Sequence, residues 1–193
     1  MAPPNLELCH GYEKQFFTNH MGHFVLVTGL LNRLTPRGRV VMLSSRAHER
    51  APRGGIAFDN LDGSKGYNSR LFYAQSKIAS ILMAKSLAKQ FEGTGKTAFS
   101  CHPGVISDTN LFRYLPSYAQ WFMDCFGFLL LKTIPEGAAT QTYLSTADDL
   151  EQHSGRYFVD CNVYPERQDG TDMDTADKLW NICKSIAAGL SKP

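Results

Sequence analysis

The 193-residue chain is 43% hydrophobic and 20% charged, a composition typical of an ordinary globular protein that excludes a disordered or low-complexity chain. Its 20 basic and 18 acidic side chains leave a net charge of +2, too small to indicate binding to nucleic acid. The five cysteines form no C-x-x-C pair, which favours reduced thiols in an intracellular compartment, cytoplasmic or at a membrane surface, over disulfides or a zinc site.

In chain order, the first predicted element is a helix over residues 11–34, where apolar side chains recur at helical spacing until residues 35–38 end the run. Residues 39–45 form a short apolar run that is typical of a central parallel strand buried on both faces. Residues 46–68 are rich in glycine and charge, and we expect a long loop on the substrate side there. Residues 69–91 predict a second long helix.

The second half continues this alternation. Residues 97–101 predict another buried strand, which ends abruptly at His102-Pro103-Gly104. Residues 107–133 predict short helices over the site, and their apolar run at 121–131 is far shorter than the ~20 residues of a membrane-spanning helix. The remaining predicted elements are a helix over 135–147, a strand over 155–159 and a terminal helix over 174–190. The alternation predicts an α/β fold with a doubly wound parallel sheet, in one domain over residues 1–193.

Tyr73 and Lys77 are the residues that most directly suggest chemistry. They are four positions apart on a predicted helix, so both side chains lie on one helical face. A free tyrosine, with a pKa of about 10, exchanges protons poorly at neutral pH, but a nearby ammonium would stabilise its phenolate and lower that pKa. The spacing therefore predicts a tyrosine that can act as an acid or a base.

Three other features lie where they could serve the same site. Ser44 and Ser45 close a buried strand, at the edge where open α/β sheets bind ligands. Asn19 lies inside an apolar helix, where its amide needs partners if it is buried. The turn at Pro103-Gly104 could let the backbone approach a flat ligand closely.

Taken in order, Asn19, Ser45, Tyr73, Lys77 and Pro103-Gly104 resemble the catalytic and cofactor-edge motifs of the short-chain dehydrogenase/reductase family. The strings N-H-M-G-H-F, V-V-M-L-S-S-R-A-H and H-P-G-V are most similar to its retinol-dehydrogenase-like branch, which also includes the WW-domain oxidoreductases. The resemblance covers nearly the whole chain, including the long stretch between Ser45 and Tyr73.

This resemblance implies hydride transfer between the nicotinamide of NADP or NAD, with NADP favoured, and a small-molecule alcohol or carbonyl compound. It implies that Tyr73 is the general acid/base and that Lys77 lowers its pKa and holds the nicotinamide ribose. Ser45 would bind the reacting oxygen, and Asn19 would position a water in a proton relay.

The resemblance also assigns the nicotinamide end of the cofactor to the backbone of Pro103, Gly104 and Val105 and to Thr109, although the turn looks one residue longer than usual. It further implies a homodimer through the two long helices. The family's glycine-rich turn, its first βαβ units and its Asn-Ala-Gly strand end are absent from the sequence. We therefore expect an N-terminally truncated, partial domain: the catalytic half of a Rossmann-like fold.

Other readings stay open at this point. The main alternative is a non-catalytic fragment or pseudo-enzyme that acts through dimerisation or its substrate-side surfaces. A hydrolase built on Ser45 and His102 would lack the G-x-S-x-G nucleophile elbow. His20 and His23 are three apart but have no carboxylate or thiol nearby in the sequence to complete a metal site, so we expect hydrogen-bonded or surface histidines.

Overall fold

A computed structural model of the protein describes residues 2–106 and 131–190. The chain begins with a short antiparallel hairpin of β1 (Leu8–Cys9) and β2 (Tyr12–Glu13). His10 and Gly11 form its two-residue turn, with φ of 51° and 82°, and positive φ at both turn positions suits the twist of a tight hairpin. The helix predicted from residue 11 therefore starts later, because this turn and hairpin come first.

The first long helix is composite. It runs through α1 (Lys14–Phe16), a π-helical turn (Phe17–Met21), α2 (Gly22–Leu30) and a final 3₁₀ turn (Leu31–Arg33). The Glu13 side chain caps its start by accepting a hydrogen bond of 2.9 Å from the backbone amide of Phe16. A π-helical turn within a helix is often found at functional sites, and this one contains Asn19.

The main sheet has four strands in the order β3 (Arg39–Leu43), β4 (Thr97–His102), β5 (Tyr157–Val159) and β6 (Asn162–Val163). The first three are parallel, and β6 is antiparallel to β5. The prediction of a parallel-rich α/β sheet is confirmed, but the antiparallel edge strand β6 was not predicted. It follows a turn in which Asp160 and Cys161 both adopt positive φ.

Three further helices cover the sheet: α3 (Ser69–Gln90), α4 (Ile134–Thr146) and α5 (Met173–Leu190). Two separate apolar clusters show that the sheet is covered on both faces, as a doubly wound fold requires. One contains buried side chains of β3, α3 and α5: Val40, Met42, Ile78, Leu82 and Leu179. The other contains Phe99, Cys101, Leu144 and Phe158, from β4, α4 and β5.

The predicted loop over residues 46–68 is present but closely held. It contains 3₁₀ turns at Arg46–Arg50 and Phe58–Asn60, and the amide of Ala57 donates to the side chain of Gln75 on α3 over 2.8 Å. Within the described ranges, no helix is long and apolar enough to cross a membrane. The segment predicted as short helices over the site, residues 107–133, lies almost wholly outside the described residues.

Candidate active site

Two of the predicted site segments directly follow the carboxyl ends of parallel strands. Ser45 follows β3, and Pro103 follows β4, its neighbour in the sheet. Helix α3 is capped by Asn68, whose side chain accepts hydrogen bonds of 3.1 Å from the amides of Arg70 and Leu71. This cap fixes where the helix begins, and so places Tyr73 on its second turn.

Tyr73 and Lys77 are adjacent on α3. The Lys77 ammonium lies 5.6 Å from the centre of the Tyr73 ring and donates a hydrogen bond of 3.3 Å to the Leu43 carbonyl. Burial raises the pKa of Tyr73, and a hydrogen bond with the Ser45 side chain opposes that shift. Burial lowers the pKa of Lys77, which favours its neutral form.

The direction of the Tyr73 shift differs from the one that the Tyr73–Lys77 spacing predicts. The pKa of Tyr73 is raised because its partly buried phenol loses solvation, and the Lys77 ammonium is directed at the Leu43 carbonyl. The effect of burial on the pKa of Tyr73 is therefore larger than any stabilisation of its phenolate by Lys77. Within the described part of the chain, the hydrogen bond with Ser45 is what opposes this rise in the pKa of Tyr73.

The two serines after β3 have different environments. Ser44 is buried, and its hydroxyl donates to the Lys77 backbone carbonyl over 2.7 Å. Ser45 is only partly buried, and its hydroxyl accepts a hydrogen bond of 3.2 Å from the amide of Ala47. Ser44 thus ties the strand end to α3, while Ser45 is the serine whose side chain lowers the pKa of Tyr73.

Asn19 connects the first helix to α3. Its amide donates 3.0 Å to the hydroxyl of Ser76, which in turn donates 2.7 Å to the backbone carbonyl of Tyr73. Ser76 is not among the site residues predicted from the sequence. Its position directly before Lys77 in the Y-A-Q-S-K string is the only sign of it in the sequence.

The predicted cofactor-edge residues form the turn after β4. Gly104 has φ of +91°, a conformation that favours glycine, and a Cβ built there would also lie 2.5 Å from the flexible end of the Lys132 side chain, which would have to move. The amide of Lys132 donates 2.7 Å to the Val105 carbonyl, and its ammonium forms an ion pair with Asp160. Thr109 lies outside the described residues.

His20 differs from the expectation that it would be hydrogen-bonded or on the surface. It is buried between the rings of Phe16 and Phe24, and neither of its ring nitrogens has a hydrogen-bond partner among residues 2–106 and 131–190. Burial lowers its pKa from 6.5 to about 3. His23 is exposed, with its ring 2.7 Å from the Asn19 carbonyl. Across the described part of the chain, no group of three or more His, Cys, Asp or Glu could hold a metal ion.

Buried His20 predicts acid sensitivity. Between pH 6.5 and about 3 the unfolded chain binds a proton at His20 and the folded chain does not, so the free energy of unfolding falls as the pH is lowered through this window. His20→Leu should flatten this dependence, by up to about 1.4 kcal/mol per pH unit, and leave stability at pH 7 similar or higher. Urea unfolding at pH 7, 5.5 and 4.5 measures it, with His153→Phe as the control, because His153 is not among the causes of the His20 shift. Equal pH slopes in wild type and His20→Leu would contradict the prediction.

The site suits one end of a dinucleotide. The partly buried Lys77 ammonium lies at the same sheet edge as the glycine turn at Gly104. A lysine ammonium can donate hydrogen bonds to the hydroxyls of a ribose, and a glycine turn lets the backbone come close to a flat ring. A pyrophosphate is normally bound by a glycine-rich turn before a helix, and the sequence contains no T-G-x-x-x-G-x-G string.

Comparison with known proteins gives a consistent result, although no model of a known protein family matches the chain. The chain is 39% identical to short-chain dehydrogenase TIC 32 A, chloroplastic, of Brassica napus, over 93% of its own length and 58% of that protein. It is 37% identical to human retinol dehydrogenase 14, over 98% of its length and 56% of the relative. The chain thus spans less than three fifths of these relatives.

A solved structure supports the fold. The crystal structure of an uncharacterised protein from Mycobacterium paratuberculosis matches with a TM-score of 0.72 and 25% identity. The match covers 97% of the present chain and 63% of that one. Sequence and structure comparisons therefore agree along nearly the whole chain, and both leave a large part of the longer proteins unmatched.

Proposed function

The chain belongs to the short-chain dehydrogenase/reductase family, and we propose that it carries the proton-transfer half of a nicotinamide-dependent oxidoreductase that acts on an alcohol or carbonyl compound. The observation that carries the proposal is the arrangement of Tyr73, Lys77 and Ser45. A partly buried phenol shares one helical face with an ammonium 5.6 Å from its ring and has a serine hydroxyl as its partner.

In the proposed reaction, Ser45 donates a hydrogen bond to the carbonyl oxygen of the substrate and orients it toward Tyr73. Tyr73 gives its hydroxyl proton to that oxygen in reduction and takes the proton back in oxidation. When bound, the nicotinamide gives or accepts the hydride. Because burial favours the neutral phenol, Tyr73 holds its proton at neutral pH until a substrate oxygen is in place.

Lys77 would hold the nicotinamide ribose, after its ammonium leaves the Leu43 carbonyl to which it now donates. The backbone of Pro103, Gly104 and Val105 would line the nicotinamide side, with Thr109 beyond. We favour NADP over NAD on the family resemblance. Asn19 would position a proton-relay water while its amide keeps the start of α3 in place through Ser76.

The retinol dehydrogenases among the relatives make retinal the first carbonyl substrate to assay. We propose a single partial domain over residues 1–193 that works in a reducing compartment, cytoplasmic or at a membrane surface. The four described cysteines, Cys9, Cys101, Cys161 and Cys183, are all free thiols, which supports that location.

Cofactor binding by the purified chain tests the proposal. Fluorescence titration with NADPH and NADH should give a dissociation constant in the micromolar range. The exposed Lys89→Met variant, which loses an ion pair with Asp177 at the far end of α3, should bind equally well. Absence of binding at millimolar concentrations would contradict cofactor use by this chain on its own.

One observation favours a second function, association through α2. Val25, Leu26 and Leu30 are 45%, 58% and 50% exposed, a row of apolar side chains along one short helix. A second copy of the chain could cover this face, which agrees with the proposed homodimer. A chain that binds no nicotinamide nucleotide but forms a stable dimer in sedimentation would support the non-catalytic alternative.

A further inference from the structure

The conformation of Ser45 depends on the turn that follows it. Ser45 is extended, with φ of −157° and ψ of 152°, and it caps the 3₁₀ turn Arg46–Arg50 through the hydrogen bond from Ala47 to its hydroxyl. Its carbonyl accepts a hydrogen bond of 3.0 Å from the amide of His48. Any group that holds this turn therefore also sets the position of the Ser45 hydroxyl.

His48 is such a group. Its side chain is fully buried, and its ring packs edge-on against Tyr157 with the ring centres 4.9 Å apart. Its Nδ1 lies 2.8 Å from the Ser45 carbonyl oxygen, and its Nε2 lies 3.3 Å from the backbone nitrogen of Arg167. The ring thus links Ser45 to Arg167, which lies 119 positions after His48 in the chain.

These two contacts fix one tautomer. A backbone amide can only donate, so Nε2 of His48 must accept from Arg167 and carry no proton. The proton of the neutral ring is then on Nδ1, where it donates to the Ser45 carbonyl. A single neutral tautomer satisfies both partners, and burial lowers the pKa of His48, which favours the neutral ring.

Arg167 anchors the far side of the turn. Its guanidinium donates to the backbone carbonyls of Glu49, Ala51 and Pro52, over 3.3, 2.6 and 2.5 Å, and forms an ion pair with Asp169. Arg167, the partner of the His48 ring, is therefore itself hydrogen-bonded to the segment that follows Ser45. Because Arg167 is held in this way, the His48 ring is fixed at one end and can orient Ser45 at the other.

We propose that His48 is a positioning residue: its Nδ1–H tautomer links the Ser45 carbonyl to the Arg167 amide and so holds the Ser45 hydroxyl against Tyr73. The inference rests on the proposed function, in which Ser45 and Tyr73 share the reacting oxygen. His48 itself does not touch the substrate in this scheme.

Nuclear magnetic resonance of the free chain tests the proposal without turnover. Nitrogen-15 labelling of histidine reports the tautomer of His48, and carbon-13 labelling of the tyrosine Cζ reports hydrogen bonding at Tyr73, whose signal is identified by its loss in Tyr73→Phe. His48→Asn keeps a donor near the position of Nδ1. His48→Phe keeps the ring but removes both hydrogen bonds. His153→Phe is the control, because His153 also packs edge-on against a sheet aromatic, Phe158, at 6.2 Å.

We expect a protonated Nδ1 and an unprotonated Nε2 in the wild type. The Tyr73 signal should shift in His48→Phe and stay at the wild-type position in His48→Asn and in the control. A protonated Nε2, or an unchanged Tyr73 signal in folded His48→Phe, would overturn the proposal. If His48→Phe does not fold, a shifted Tyr73 signal in His48→Asn overturns it instead.

The result of this test of His48 can be distinguished from the result of the test of the proposed function. Both signals are read without cofactor or substrate, so a negative result leaves the proton chemistry of Tyr73 intact. Conversely, a chain that binds no nicotinamide nucleotide can still show the His48 tautomer and the Tyr73 shift.

Discussion

Replacing Tyr73 with phenylalanine should lower turnover about 10²–10⁴-fold once the cofactor-binding half is supplied, in one chain or as a complementing chain. The variant removes the hydroxyl that gives and takes the proton and leaves the ring in place. Cofactor affinity should stay within about twofold of the wild type, since a lost transition-state interaction affects kcat more than binding. Steady-state kinetics and cofactor titration on the same preparation measure both effects.

Tyr67→Phe is the matched control for this prediction. Tyr67 also has a hydrogen-bonded hydroxyl, which donates 2.9 Å to the Pro3 carbonyl, but that bond ties the chain start to the loop before α3. We expect near wild-type turnover from Tyr67→Phe at temperatures where it is folded. Wild-type turnover from Tyr73→Phe would remove Tyr73 from the proposed mechanism.

Replacing Lys77 with alanine should reduce both turnover and cofactor affinity. The loss of a charge-assisted hydrogen bond, worth about 1.5–3 kcal/mol, corresponds to roughly 10–100-fold weaker cofactor binding. The variant also removes the ammonium from beside the Tyr73 ring, which should lower kcat in addition. Fluorescence titration and steady-state kinetics separate the two effects.

Two further variants sharpen the Lys77 prediction. Lys77→Met keeps most of the partly buried stem, so a loss shared with Lys77→Ala comes from the charge and not from packing. Lys89→Ala, on the same helix but distant from the site, should bind cofactor as the wild type does. Unchanged cofactor affinity in Lys77→Met would show that Lys77 does not hold the ribose.

Local sequence patterns were sufficient to predict most of the regular elements. The apolar runs at residues 39–45 and 97–101 predict β3 and β4, and residues 69–91 and 174–190 predict α3 and α5 to within about two residues of their ends. These predictions succeed because the periodicity of a strand or a helix depends on residues that are neighbours in the sequence. The Y-x-x-x-K spacing likewise places Tyr73 and Lys77 on one helical face without tertiary information.

Other features depend on residues distant in the chain. The separate roles of Ser44 and Ser45, the link from Asn19 through Ser76, and the bridge from His48 to Arg167 join segments 33 to 119 positions apart. The tertiary structure also decides the direction of the Tyr73 pKa, because burial cannot be read from a four-residue spacing.

The sequence by itself therefore determined the order of the main helices and parallel strands, the fold class and the family, since each depends on local periodicity and on short motifs. Only the tertiary structure decided which side chains meet at the carboxyl edge of the sheet. It also decided that His20 has no hydrogen-bond partner among the described residues and that the His48 ring has two. Hydrogen bonds, desolvation and packing act between atoms within a few ångströms, and folding alone brings distant residues that close.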